Sequence, residues 1–263
     1  MDNNSHSHKE TQILKFLTKN KYATSRQLAR LFFNGSLKPS TMLRRTNLLT
    51  KQMKEKDVIR HLQRRVGGVR SGSGSYVWYI TTKGLTQLKQ TYPNLKVVRQ
   101  NKYEPSMHHL RHSLAITELY VLLNELASEN SNFKLEVFQF EPDCWRGWLD
   151  SLSGRSIIKP DAFVEVSLDD YIDSYFIELD KSTESLNRII NKSKHYIRYY
   201  NLNIEQNKNQ GVFPLVLWVV PDEKRKLAIE TRIQETLNNY WELFQVITLD
   251  EFKDYVSGGI KNG

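Results

Sequence analysis

Apolar side chains recur every three or four positions between residues 10 and 56, the spacing of one helix face. Ile13, Leu14, Phe16 and Leu17 predict a helix over residues 10–19. After Asn20-Lys21-Tyr22, Thr24 or Ser25 caps a second helix with Leu28, Leu31 and Phe32 on its apolar side. Leu28 stands three residues after Ser25, so a simple N-cap is expected rather than a capping box. Asn34-Gly35-Ser36 is a turn, and Pro39-Ser40-Thr41 opens a third helix that runs to about Lys56. Met42, Thr46, Leu49 and Met53 line one of its faces; Arg44, Arg45, Asn47, Lys51 and Lys54 line the other. The pattern then turns from helical to extended. Residues 58–62 and 76–80 read as strands separated by Gly67-Gly68 and the run Ser71-Gly72-Ser73-Gly74-Ser75. A long hairpin with a basic, Gly/Ser-rich loop is predicted, closed by a helix over residues 81–93.

Residues 96–105 hold few apolar side chains and a Pro, and read as a linker between a domain at 9–95 and one at 106–257. The second begins with a helix over 106–127 and a strand over 133–140. Residues 141–156 are irregular and Trp-rich, 157–166 form a strand, and Asp173-Ser174 is a turn before a strand at 175–180. Thr183 caps a helix reaching Tyr200. The run from Val212 to Val220 has the character of a strand buried on both faces. A helix over 222–241, a strand over 244–248 and a short helix over 249–256 complete the chain. This order implies a mixed sheet flanked by helices. The fold class is therefore α+β in two domains.

Charge divides the chain at the same place. The net charge is +9 over 263 residues, but residues 1–105 carry 21 Lys and Arg against 5 Asp and Glu, a local charge of +16, and the rest carries −7. A basic front half on an acidic remainder points to a polyanion as partner. No apolar run approaches the roughly 20 residues of a membrane span, and the polar N-terminus lacks a secretory pattern. One Cys, Cys144, excludes an internal disulfide. The expectation is a cytoplasmic protein without a membrane partner. There is no phosphate-binding Gly-rich loop ending in Gly-Lys-Ser/Thr and no His-x-His-x-x-x-His cluster, which removes a P-loop ATPase and a relaxase of the three-His kind.

Three helices, a basic hairpin and a closing helix are the parts of a winged helix-turn-helix, in its order. That motif places its third helix in the major groove and its wing on flanking DNA. The expected contacts to double-stranded DNA are Ser40, Thr41, Arg44, Arg45 and Lys51 on the helix, with Arg64, Arg65 and Arg70 on the wing. Asp57 stands where such domains often have Gly at the end of the recognition helix; Asp tolerates the left-handed conformation better than most residues.

In the second half, Asp161 follows Pro160, and Glu178 and Asp180 end the next strand. Carboxylates on adjacent strands suit Mg2+ or Mn2+ in phosphodiester hydrolysis. The arrangement resembles the PD-(D/E)xK nucleases, with Asp161 and Glu178 as metal ligands, Asp180 or Glu118 assisting, and a lysine near the scissile phosphate. The lysine is displaced: Asp180 occupies its strand position and Lys181 comes one residue late, on the opposite face. Lys194 or Lys192, from the following helix, would have to supply it. The same carboxylates also admit a structural role, ending a strand and capping the helix after it.

The wing-exit run YVWYITTKG, His112-Ser113-Leu114, the strand KPDAFVEV and the segment FIELDKSTES, in that order, resemble the replication-relaxation family of bacterial plasmids and mobile elements. The resemblance covers about residues 10–220. It implies a winged helix joined to a nuclease-like domain and a role in plasmid replication or conjugative DNA processing. It also implies partners among replication or transfer proteins. A homodimer matching a palindromic site is expected on symmetry grounds.

Overall fold

The computed structural model of the chain describes residues 2–35, 37–67, 74–95, 104–150, 154–182, 184–237 and 239–258. Arg70, Thr183 and residues 96–103 of the expected linker lie outside the described residues. The fold is α+β and divides into two compact units, Met1–Val121 and Leu122–Gly263. No helix among the described residues is long and apolar enough to cross a membrane.

The first unit contains α1 (Asp2–Asn20), β1 (Ala23–Thr24), α2 (Ser25–Phe32), α3 (Pro39–Glu55), β2 (Ile59–Val66), β3 (Ser75–Ile80) and α4 (Thr82–Thr91). It also takes the first half of α5 (Met107–Glu129). The sheet runs β1-β3-β2, antiparallel throughout, with β2 at one edge. α2 starts with a capping box, not the simple cap expected. The cap is Thr24, one residue earlier, which puts Gln27 at the third helical position, and its side chain accepts from the Thr24 N–H at 3.0 Å. α3 ends at Glu55, and Asp57, two residues on, takes a left-handed φ of 56°. The start of α4 lies almost on the backbone of the hairpin: a Cβ at Gly84 would come within 2.2 Å of the Val58 carbonyl oxygen.

Leu110 and Leu114 of α5 are buried with Tyr22, Leu62 and Val77 in one cluster. Asn20 on α1 donates to Thr117 Oγ1 and to the Tyr22 carbonyl, each at 2.7 Å. The first half of α5 is thus part of the first unit's core. Leu110→Ala should cost about 2–5 kcal/mol, as for other fully buried leucines. Urea denaturation should find a fragment ending at residue 100 clearly less stable than one carried through Glu129; equal midpoints would show that α5 contributes nothing to this unit.

The second unit is built on β4 (Phe133–Phe140), β7 (Ala162–Leu168), β8 (Tyr171–Leu179), β9 (Leu215–Val220) and β10 (Phe244–Thr248), in the order β10-β9-β8-β7-β4. β10, β9 and β8 are parallel neighbours; β7 runs antiparallel to both β8 and β4. A separate hairpin, β5 (Arg146–Asp150) and β6 (Gly154–Ile158), lies between β4 and β7 in sequence. The single strand expected over 157–166 is therefore two, broken where Pro160 has no N–H for the ladder. The stretch expected to be irregular contains β5 and most of β6, and its Trp148 packs on Tyr199 with ring centroids 5.2 Å apart.

α6 (Leu186–Tyr200) and α8 (Glu223–Thr236) pack on one face of the sheet; α7 (Ile204–Lys208) follows α6, and α9 (Phe252–Val256) packs on β10. Ile189, Tyr196 and Tyr199 of α6 and Ile229 and Ile233 of α8 bury Phe163, Phe176, Val216, Trp218, Phe244 and Val246 of the strands. Alternation along β8 carries Glu178 and Asp180 onto this same helix-covered face as Phe176.

Candidate functional site

Two groups of expected residues can be followed, one in each unit. Thr46, Leu49, Thr50 and Met53 of α3 are buried, which turns Ser40, Arg44, Arg45, Asn47, Leu48, Lys51 and Gln52 to solvent; Thr41 is half-buried. No Asp or Glu occurs from Lys38 to Lys54. Lys51 approaches Glu55 only at 4.0 Å, with both side chains largely exposed, so its charge stays available to a ligand. The exposed side of α3 is a basic surface, with Asn47 and Gln52 as neutral hydrogen-bonding groups.

The cations of the hairpin are differently placed. Arg60 Nε donates to Asp57 at 2.8 Å. Arg64 pairs with Glu104 at 3.5 Å. Arg65 lies over the Tyr76 ring, 4.2 Å from its centroid, and donates to the Tyr76 hydroxyl at 2.5 Å. Lys54 Nζ sits 3.0 Å from His61 Nε2, joining the end of α3 to β2.

In the second unit the carboxylates gather at the end of β8. Asp161 accepts the Leu179 N–H through Oδ2 at 2.7 Å and donates its own N–H to Ile177, tying the start of β7 to β8. Glu178 has no exposure to solvent. The Tyr196 hydroxyl donates to Oε1 at 2.5 Å, and Lys192 donates to Oε2. Both partners come from α6, four residues apart on one helical face. Burial is the main cause that pushes the Glu178 carboxyl up to about 8; Lys192 opposes it, and Asp161 adds repulsion. Burial also works against the Lys192 charge, but Glu178, Asp161 and Glu184 outweigh it and hold the ammonium above its ordinary range.

Asp180 does not cap α6, whose N-cap is Ser185. Its Oδ2 accepts from Arg225 Nε of α8 at 2.5 Å and from the Ser182 N–H at 3.2 Å, while Arg225 also donates to the Glu184 carbonyl at 2.6 Å. Lys194 is exposed on α6, so the lysine brought to Glu178 is Lys192. Glu118 is held in the first unit by Arg30 and by Gln27 Nε2 at 3.0 Å. Cys144 is buried and donates to the Pro160 carbonyl at 3.0 Å; burial raises its thiol pKa, and it is no nucleophile. Sequence reasoning reads Tyr196 only as an aromatic packing on the sheet or a stacking surface, not as a partner of Glu178, and misses Arg225. The i, i+4 spacing of Lys192 and Tyr196 was a usable signal; Arg225 had none.

This donor set does not fit Mg2+ or Mn2+. A hard cation needs several oxygen lone pairs facing one point. Glu178 has both oxygens engaged by an ammonium and a phenol. Asp180 Oδ1 and Glu184 Oε2 are buried without hydrogen-bond partners, but the Arg225 guanidinium already supplies positive charge between these two residues. Among the described residues no group of three or more His, Cys, Asp or Glu side chains is arranged to hold a metal. The arrangement balances buried charge; it does not present carboxylates to a ligand.

A carboxyl whose folded-state pKa lies above its unfolded value favours folding fully below the unfolded pKa and loses that contribution as pH rises through the folded one. For Glu178 the window runs from the ordinary carboxyl value, 4.5, to about 8. Urea midpoints of the wild type should therefore fall relative to those of Glu178→Gln across that window; a wild type that gains on the variant instead would mean the ionised form is the one the fold prefers. Lys192→Met strips the counter-charge and should cost about 3–5 kcal/mol once Glu178 ionises.

A profile of the family described as replication-relaxation matches residues 14–216, from within α1 to the start of β9. No curated protein and no solved structure matches the chain. The profile spans well over half of the sequence and takes in elements of both units; the chain belongs to the replication-relaxation family.

Proposed function

We propose that this protein binds duplex DNA through its first unit and serves the replication or DNA processing of a plasmid or other mobile element. The carrying observation is the exposed side of α3, where Arg44, Arg45 and Lys51 stand on a surface with no carboxylate from Lys38 to Lys54. The succession α1, α2, α3 and then the β2–β3 hairpin supports a winged helix-turn-helix, with α3 in the major groove and the hairpin on the adjoining backbone. The family membership supports the process served.

The second unit is read as a PD-(D/E)xK-like domain. Its order α5, β4, β7, β8, α6, β9 supports that fold, with β5–β6 as an insertion. Its charge network supports a scaffold, or a surface for replication or transfer proteins, rather than a metal-dependent nuclease. Two copies on a palindromic site would suit an interface of this kind.

The test is a mobility-shift titration on labelled duplex over a range of salt concentrations. Arg44→Ala combined with Lys51→Ala should weaken binding and flatten the salt slope by about 1.8, two phosphates at about 0.9 each. An unchanged slope would remove α3 from the interface. Supercoiled plasmid incubated with the same preparation and Mg2+ or Mn2+ should stay intact. Nicking that Asp161→Ala abolishes would make the second unit an enzyme and overturn the scaffold reading.

A further inference from the structure

On the outer edge of β2, donors suited to an anion converge on a carboxylate of the same chain. β2 is an edge strand, and its pairing with β3 shifts register between His61 and Arg65. A bulge of this kind releases backbone groups from the ladder and re-aims side chains. Within the shifted stretch, the Gln63 N–H donates to Glu104 Oε1 at 3.1 Å, and Arg64 Nε lies 3.5 Å from Glu104 Oε2. A backbone N–H and a guanidinium thus meet the two oxygens of one anion. Proteins use the same donor pair, backbone amide plus Arg, to hold the oxygens of DNA phosphates.

Arg60 and Arg65, the other described arginines of the hairpin, have different partners. Arg60 is answered by Asp57, three residues away on the turn before its own strand. Arg65 is laid over Tyr76. Glu104 comes from 41 residues further along the chain, so its contact with Gln63 is not a local turn. Glu104 is also the first acidic residue after Asp57, at the end of a stretch otherwise rich in Lys and Arg.

We propose that Gln63 N–H and Arg64 form a phosphodiester-binding site on the wing, and that Glu104 occupies it as an intramolecular competitor until duplex DNA displaces it. The inference rests on the reading of the first unit as a duplex binder. It adds a regulated contact: the wing engages only at the cost of an ion pair, so any ligand or partner that draws Glu104 away raises DNA affinity.

The experiment is a double-mutant cycle in the full-length protein, read by fluorescence anisotropy on a labelled duplex of arbitrary sequence. Glu104→Gln, with Glu104→Ala as a second variant, should bind about two- to fivefold more tightly, the range set by one exposed ion pair. Arg64→Ala should weaken binding. The gain from Glu104→Gln should vanish in the Arg64→Ala background, because the competitor then has no site to block. A gain that persists without Arg64 would reduce the effect to general electrostatics and overturn the site. So would equal or weaker binding by both Glu104 variants, with circular dichroism confirming that they are folded. Absence of duplex binding by the wild type would instead sink the functional reading on which the site depends.

Discussion

A carboxylate with no access to water must be answered from inside the protein, and Glu178 on the central strand β8 sets that condition for the second unit. The answer comes from α6, whose Lys192 and Tyr196 take its two oxygens. Those two bonds fix the rotation of α6 about its axis, and with it which apolar residues meet the sheet: Ile189 and Tyr199 fall against Phe176, Val216 and Trp218. Two residues on, Asp180 does the same for α8 through Arg225. Breaking one partner of such a pair is costly, whereas replacing the whole group by apolar residues often is not. The network therefore specifies which helix lies where more than it adds to stability.

The elements were largely legible because their periods are clean. The three helices before the hairpin, the two hairpin strands and the strand at 133–140 follow from spacing of apolar residues, whereas the strand expected at 175–180 begins at Tyr171, so Asp173-Ser174 are paired within it and the turn falls at Asp169-Asp170. Local details were less so. Thr24 rather than Ser25 caps α2 because the cap is decided by backbone geometry, and adjacent Thr and Ser look alike in sequence. The β5–β6 hairpin was hidden because its strands are short and interleave polar residues with apolar ones. The polar stretch before α5 looked like a domain boundary, but compactness divides the chain inside that helix, where Leu110 and Leu114 serve one unit and the residues after Val121 the other. Helical periodicity is the same on either side of such a division, so nothing in the pattern marks it.

Of the candidate sites, residue types were readable and partners were not. Asp161, Glu178 and Asp180 could be picked out by motif, yet their chemistry turned on Lys192, Tyr196 and Arg225, from two different helices. A carboxylate's role is set by what faces it, and facing is a tertiary property. The same holds for the basic hairpin. Counting arginines gave the charge, but only the fold reveals that Arg60, Arg64 and Arg65 each have an intramolecular partner, while Arg44 and Arg45 stand on the exposed side of a helix without nearby acidic residues in sequence.

Gly84 carries a consequence of another kind. With a hypothetical Cβ 2.2 Å from a carbonyl oxygen, this position admits no side chain unless the start of α4 moves off the hairpin. The Thr81 hydroxyl reinforces the approach, accepting the Gly84 N–H at 3.1 Å and donating to the Asp57 carbonyl at 2.6 Å. Thr81 and Gly84 of the Thr-Thr-Lys-Gly tetrapeptide are therefore a record of backbone contact, required by sterics. Exposed side chains on α3 and along β2 can vary while this tetrapeptide stays put, and chains sharing it would share a scaffold whose surfaces are free to diverge.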